Sequence, residues 1–321
     1  MGKKNDLLNQ YLEKTDVFAE LCNAAIYGGK KVIRPQELAD MQRNYGRKIS
    51  GRDGIPHRVT RARDAAKLLC HDAHFVKIAF ENQDSLHFCM PLRCMEYDGM
   101  ELSKQLAGLR RRHKADNDLE GGAEYLSGIK ETDRLIPVMT IVFYHGRGQW
   151  TAARRLSGML DTAGMDNAMR RMLPDYRMNV VCLEDLKEEH FQTGLHDLIA
   201  LMKRREDKEA FSKYLEDNRE RLDHLDEELY ILICTMLNLS VLNRCREKYY
   251  NKETGDYRMC TAVWEMKQDG IEIGKKRGIE IREKRMGLLA QKLTVAGRGE
   301  ELLRAVEDEA VRSQLYLEFG I

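Results

Sequence analysis

From Arg61 to Gln83 the chain reads RARDAAKLLCHDAHFVKIAFENQ, two apolar stretches on either side of HDAH. Alternation with a period of two predicts a pair of half-buried antiparallel strands joined by that turn. With the turn centred between Asp72 and Ala73, paired residue numbers sum to 145, which sets Asp64 opposite Glu81. Gln83 then shares the face of Glu81, and Lys67 falls on the other face. Upstream, Tyr11, Leu12, Phe18, Leu21, Cys22 and Ala25 recur near the helical period and predict one helix over 10–27, stopped by Gly28 and Gly29. Asp16 and Glu20 are four apart and share a face of it. Within the Gly-, Arg- and Lys-rich segment 30–57, VIRP at 32–35 predicts a short edge strand that the proline ends.

Downstream, PLRCMEYDGMELSKQLAGLRRRHK at 91–114 predicts a helix with Pro91 in its first turn. LIPVMTIVFYHG at 135–146 and YRMNVVCLEDL at 176–186 are continuous apolar strands of the kind buried on both faces, with a helix predicted at WTAARRLSGML between them. After Glu188 only amphipathic helix is predicted, over 191–207 and then 208–238. DGIEIGKKRGIEIREK repeats GIEI and lines up Gly270, Gly274 and Gly278 on one helical stripe. Three glycines weaken a helix in water, so the stripe marks a close helix contact or a linker, and the linker is preferred. The order of elements predicts an α/β domain with a mixed sheet over residues 1–190 and a helical C-terminal region over 191–321.

Composition adds a bias in charge. The 321 residues, 43% apolar, suffice for a substantial core, and 53 Lys and Arg nearly balance 52 Asp and Glu. Residues 1–115 hold 21 Lys and Arg against 14 Asp and Glu, whereas the remainder holds 32 against 38. A polyanion therefore sits more easily on the first third. MGKKNDLLNQYLEK lacks the apolar core of a signal peptide, and the apolar run Leu135 to Tyr144 is too short to span a bilayer. A soluble, cytoplasmic protein without a membrane partner is expected. Eight cysteines without regular pairing suit a reducing compartment. Cys70, His71, His74, His87, Cys89 and Cys94 lack the paired half-sites of a zinc centre and read as core and turn residues.

Two carboxylates opposite one another in a sheet repel, and a divalent cation removes that penalty. Mg²⁺ prefers carboxylate oxygens and keeps waters, leaving room for a phosphate and a nucleophilic water. On spacing alone, ion pairs of each acid with Arg63, Lys67 or Lys77 explain the same residues.

At these positions the chain resembles the PD-(D/E)XK nuclease superfamily, and within it the recombination-promoting nuclease or transposase family, Rpn. Asp64 matches the acid of the first motif strand, and ENQ, Glu81 to Gln83, looks like that family's ExQ variant of ExK. FAELCNAAIYGGKKVI, RDAAKLL, MPLRCMEYD and LIPVMTIVFYHGRGQW follow in the family's order, so the resemblance covers roughly the first 190 residues. It implies a restriction-endonuclease-like core and a metal-dependent DNA endonuclease tied to recombination or transposition. Carried over, Asp64 and Glu81 are metal ligands for Mg²⁺, with Mn²⁺ or Ca²⁺ as alternatives, and Gln83 replaces the catalytic lysine. Glutamine can orient a water but carries no charge. Glu20 resembles an additional acid contributed by the first helix, and Arg93 and Tyr97, four apart, match an RxxxY spacing that aims both at a phosphate. The implied partner is double-stranded DNA, with homo-oligomers formed through the C-terminal helices. The alternative is a DNA-binding or interaction protein of weak or lost catalysis on a nuclease-like fold.

Overall fold

The computed structural model describes residues 3–41, 44–50, 56–71 and 74–321. Its N-terminal helix is two helices rather than the single one expected: α1 (Lys3–Leu12) and α2 (Thr15–Tyr27). Lys14 between them has an extended backbone. The break turns Leu8, Tyr11 and Leu12 of α1 into the core. Gly28, at φ +60°, ends α2 in the left-handed region where a Cβ is penalised. The Asn23 side chain then fixes the outgoing loop, accepting from the Val32 and Ile33 N–H groups and donating to the Ile33 carbonyl.

The edge strand comes after Pro35 and not before it. Pro35 begins a 3₁₀ turn, Pro35–Glu37, because its ring suits a first turn and has no N–H to give a ladder; β1 (Leu38–Asp40) follows. β2 (Asn44–Ser50) and β3 (Pro56–Ala62) form a separate antiparallel ribbon. β4 (Ala65–His71) and β5 (His74–Gln83) pair as the alternation predicts, from Ala65 opposite Phe80 to His71 opposite His74. The turn residues Asp72 and Ala73 lie outside the described residues. α3 (Met90–Asp116), with Pro91 in its first turn, and α4 (Gly121–Ser127) lead to β6 (Val138–Tyr144), which lies parallel to β5.

No helix forms at 150–160. Leu156 N–H donates to the Tyr176 carbonyl and Met178 N–H to that of Arg154, so pairing with the later segment takes the groups a helix would use. Only a 3₁₀ turn, Leu156–Met159, and α5 (Asn167–Met172) precede β7 (Asn179–Cys182), which adds parallel to β6. The five-stranded mixed sheet has the order β1-β4-β5-β6-β7, an α/β arrangement.

Strand alternation divides the interior. Ile78, Phe80, Ile141 and Phe143 face α2 and the later helices in the larger core, whereas Val142 and Tyr144 face Met90 and Cys94 of α3 together with Trp150 and Met178. The later helices are α6 (Leu195–Arg204), α7 (Lys208–Asp217), α8 (Arg219–Leu222), α9 (Glu227–Met236) and α10 (Ser240–Arg244). The single helix expected over 208–238 is thus interrupted, and Asp226 restarts it by accepting from the Leu229 N–H. Leu198, Ile199 and Tyr230 share one core with the sheet, so the helices beyond residue 190 are built onto its face. A hairpin of two-residue strands, β8 (Tyr250–Asn251) and β9 (Asp256–Tyr257), precedes α11 (Met259–Val295), a 37-residue helix. Its far end packs with α12 (Gly299–Glu307) and α13 (Glu309–Phe319) around Leu289, Leu293, Ala305 and Leu315, a small separate core. Residues 267–284 between the two cores are exposed throughout. Among the described residues no helix is long and apolar enough to cross a membrane.

Candidate functional site at the end of the central strands

Asp64 stands one residue before β4, where the continued register sets it opposite Glu81. There the backbone bends, and the carboxylate meets donors from two directions. Its Oδ2 accepts from the Asn82 N–H at 2.7 Å, and its Oδ1 from Asn9 Nδ2 of α1 at 3.0 Å. Asn9 Oδ1 in turn accepts from Asn82 Nδ2. α1 is thereby stapled to the rim of the sheet by a closed ring of polar groups. Burial raises the Asp64 pKa and nearby Asp6 adds to it, against the pull of Asn82, Asn9 and Arg93.

Glu81 is 0% exposed. Its Oε2 lies 3.0 Å from Arg93 Nη2, yet neither carboxylate oxygen accepts a well-formed hydrogen bond. Burial, and then the charge of Asp64, push its pKa up to about 8, although Arg93, Arg63 and, weakly, the Asp64 N–H hold it down. A buried carboxyl with this surrounding keeps its proton near neutrality or exchanges it for a cation.

The partner helix is placed by matched spacing. Arg93 meets Glu81 and Glu101 meets Lys77, so α3 runs back along β5. Eight helical residues rise about 12 Å and four strand residues about 13 Å, so both pairs close together. Tyr97, midway between Arg93 and Glu101, is 3% exposed, and the guanidiniums of Arg63 and Arg93 each stand 5.5 Å from its ring centre. Its phenol oxygen accepts from Arg93 Nη2 at 3.3 Å. Behind this stack Asp98 accepts from Arg63, Thr140 Oγ1 and Tyr176 OH. The network fixes one buried arginine, Arg63, and one half-buried, Arg93, near two buried acids.

The structure therefore gathers Asp64, Glu81, Arg93 and Tyr97. Gln83 follows Glu81 at the half-buried end of β5; its main chain accepts from the His145 N–H, and its amide has no side-chain hydrogen bond among the described residues. Glu20 is engaged elsewhere, because its carboxylate accepts from Gln192 N–H, Thr193 N–H and Thr193 Oγ1 and caps the approach to α6. Lys67 pairs with Asp40 of β1 at 2.5 Å, on the other face as expected. Sequence reasoning missed Asn9, Asn82, Asp98, Thr140 and Tyr176. The available signal was an asparagine inside an apolar strand, which needs a buried partner.

Two carboxylates, one of them with unsaturated oxygens, suit a hard divalent ion, which takes few protein oxygens and keeps its waters. Among the described residues no third His, Cys, Asp or Glu joins them.

Residues 123–232 match the family described as "Putative transposase, YhgA-like". That stretch holds LIPVMTIVFYHGRGQW, with β6, and extends through β7 to α9; it begins after Asp64 and Glu81. The resemblance to a transposase family thus holds over the second half of the sheet and the helices packed on it. Neither the curated proteins nor the solved structures contain a match.

Proposed function

We propose that this chain is a metal-dependent DNA endonuclease associated with recombination or transposition, built on a PD-(D/E)XK-like core, with Asp64 and Glu81 as the ligands of a Mg²⁺ or Mn²⁺ ion. The observation that carries the reading is Glu81: fully buried, without a well-formed hydrogen bond to either oxygen, its one ion pair the half-buried Arg93, and beside a second buried acid. A structural carboxylate at this depth is ordinarily saturated with donors, as Asp98 is here. The match to a transposase family over residues 123–232 supports DNA as the substrate.

The bound ion would polarise the phosphate and lower the pKa of a water, the chemistry that phosphodiester hydrolysis needs. Glu81 would hold the ion as a carboxylate, beside Asp64, which Asn9 and the Asn82 N–H keep in place. Arg93, 3.0 Å from Glu81, would set its guanidinium within reach of a phosphate oxygen. Gln83 can orient the attacking water through its amide but cannot accept its proton.

The test is conversion of supercoiled plasmid by purified protein with Mg²⁺, Mn²⁺ or EDTA. Cleavage is expected with metal only, falling about a hundredfold or more in Glu81→Gln and Asp64→Asn, while both variants still retard DNA on a gel. If both variants cut like wild type, the mechanism is wrong. One feature favours a second reading, a DNA-binding protein of weak catalysis: Gln83 stands where the superfamily's lysine would be. Metal-independent binding with no cleavage at any divalent ion would select it.

A further inference from the structure

The outer edge of the sheet carries a second charge arrangement, opposite in sign to the first. Residues 154–156 and 176–178 run side by side, and an isolated antiparallel bridge sets Arg155 directly across from Arg177. Like charges in that position repel. Asp175 relieves one of them: its Oδ2 accepts from Arg155 Nη1 at 2.8 Å, and its Oδ1 from the Ser157 N–H. Arg154 and Arg177 have no ion pair or side-chain hydrogen bond among the described residues. All three arginines, with Ser157, Asn179 and Val180, line a cavity of about 620 Å³ beside β7. One carboxylate against three guanidiniums leaves the pocket with a net positive charge.

The fold fixes where this pocket lies relative to Glu81. Ala25 of α2 lines the cavity, and Arg177 alternates with Tyr176 and Met178, which face α3, so the pocket lies at the outer edge of the sheet toward α2, whereas Glu81 faces α3. Guanidinium forks match phosphate oxygens two at a time, and Ser157 adds a neutral hydroxyl, while the Asn179 amide donates to the Thr140 carbonyl.

We infer that the Arg154–Arg155–Arg177 pocket anchors a backbone phosphate of the nucleic acid that meets Asp64 and Glu81, at a distance from the phosphodiester held there. The inference rests on the nucleic-acid reading of that site, and it assigns the pocket to positioning and not to chemistry.

The experiment is fluorescence anisotropy of a labelled 30-base-pair duplex in EDTA across a salt series, using the full chain carrying Glu81→Gln so that no cleavage intervenes. In that background Arg154→Ala with Arg177→Ala is compared with a control pair on the exposed helix, Lys275→Ala with Arg277→Ala. Loss of this one phosphate contact is expected to lower the slope of log affinity against log salt by about 0.9 and to weaken low-salt binding at least tenfold. The control should keep the parent slope, and thermal melting should be unchanged in both. An unchanged slope, an equal loss in the control, or no duplex binding by the parent overturns the inference. So does an arm in which inorganic phosphate stabilises the parent and not the arginine variant while duplex affinity stays the same, since the pocket would then hold free phosphate. If the slope falls as expected but the chain never cleaves with any divalent metal, the anchor stands and the catalytic reading alone fails.

Discussion

Glu81 is made a weak acid by its neighbours: burial acts first, Asp64 second, and Arg93 only partly offsets them. The linkage has a definite sign. The folded chain keeps the proton up to about pH 8, while the unfolded chain releases it near 4.5. This group's stabilising contribution is therefore full below pH 4.5 and is lost as the pH rises to about 8. In EDTA, Glu81→Gln should melt several degrees above wild type at pH 8 and close to it at pH 5, a difference on the order of 2–4 kcal/mol. Equal melting curves at both values would show that Glu81 is ionised in the fold. His145 acts in the other direction, since burial pushes its pKa down to about 4 and its contribution is lost as the pH falls from 6.5.

Asn9→Ala should cost roughly 1–3 kcal/mol in urea unfolding, because Asp64 Oδ1 and Asn82 Nδ2 both lose their partner inside the protein. A loss below 0.5 kcal/mol, on the order of a surface substitution, would mean that water replaces the amide. The facing acids were legible because β4 and β5 are consecutive and their alternation fixes the register. Asn9 was not, since its partners lie 55 and 73 residues away. Glu20 was misplaced for the same reason: its donors come from residues 192 and 193.

At the scale of elements, strands were more readable than helix boundaries. A buried strand announces itself by apolar continuity, as 138–144 does, but a helix ends where a cap or a competing pairing is stronger. Asp226 supplied such a cap, and the pairing of 154–156 with 176–178 abolished a helix outright. The glycine stripe of α11 resolves at this scale too. Gly270, Gly274 and Gly278 lie within one continuous helix, and an added Cβ at any of them meets nothing within 4 Å. Replacing all three with alanine should therefore strengthen the segment by about 1 kcal/mol per site, seen as slower proteolysis between residues 267 and 284. Faster proteolysis, or aggregation, would indicate that the stripe packs closely against another helix.

The whole molecule has two interiors of very unequal size. One joins the sheet to the helices on its faces; the other is the small cluster where α11 ends against α12 and α13. Calorimetry should resolve a minor transition below the main one, and a chain ended after residue 266 should lose only the minor transition. A single transition in both would show the two cores to be coupled. The exposed part of α11, residues 267–284, spans about 27 Å, or roughly eight base pairs of duplex. If copies of the chain associate through their terminal clusters, that helix acts as a ruler: the number of turns it contains sets how far each sheet stands from the joined ends.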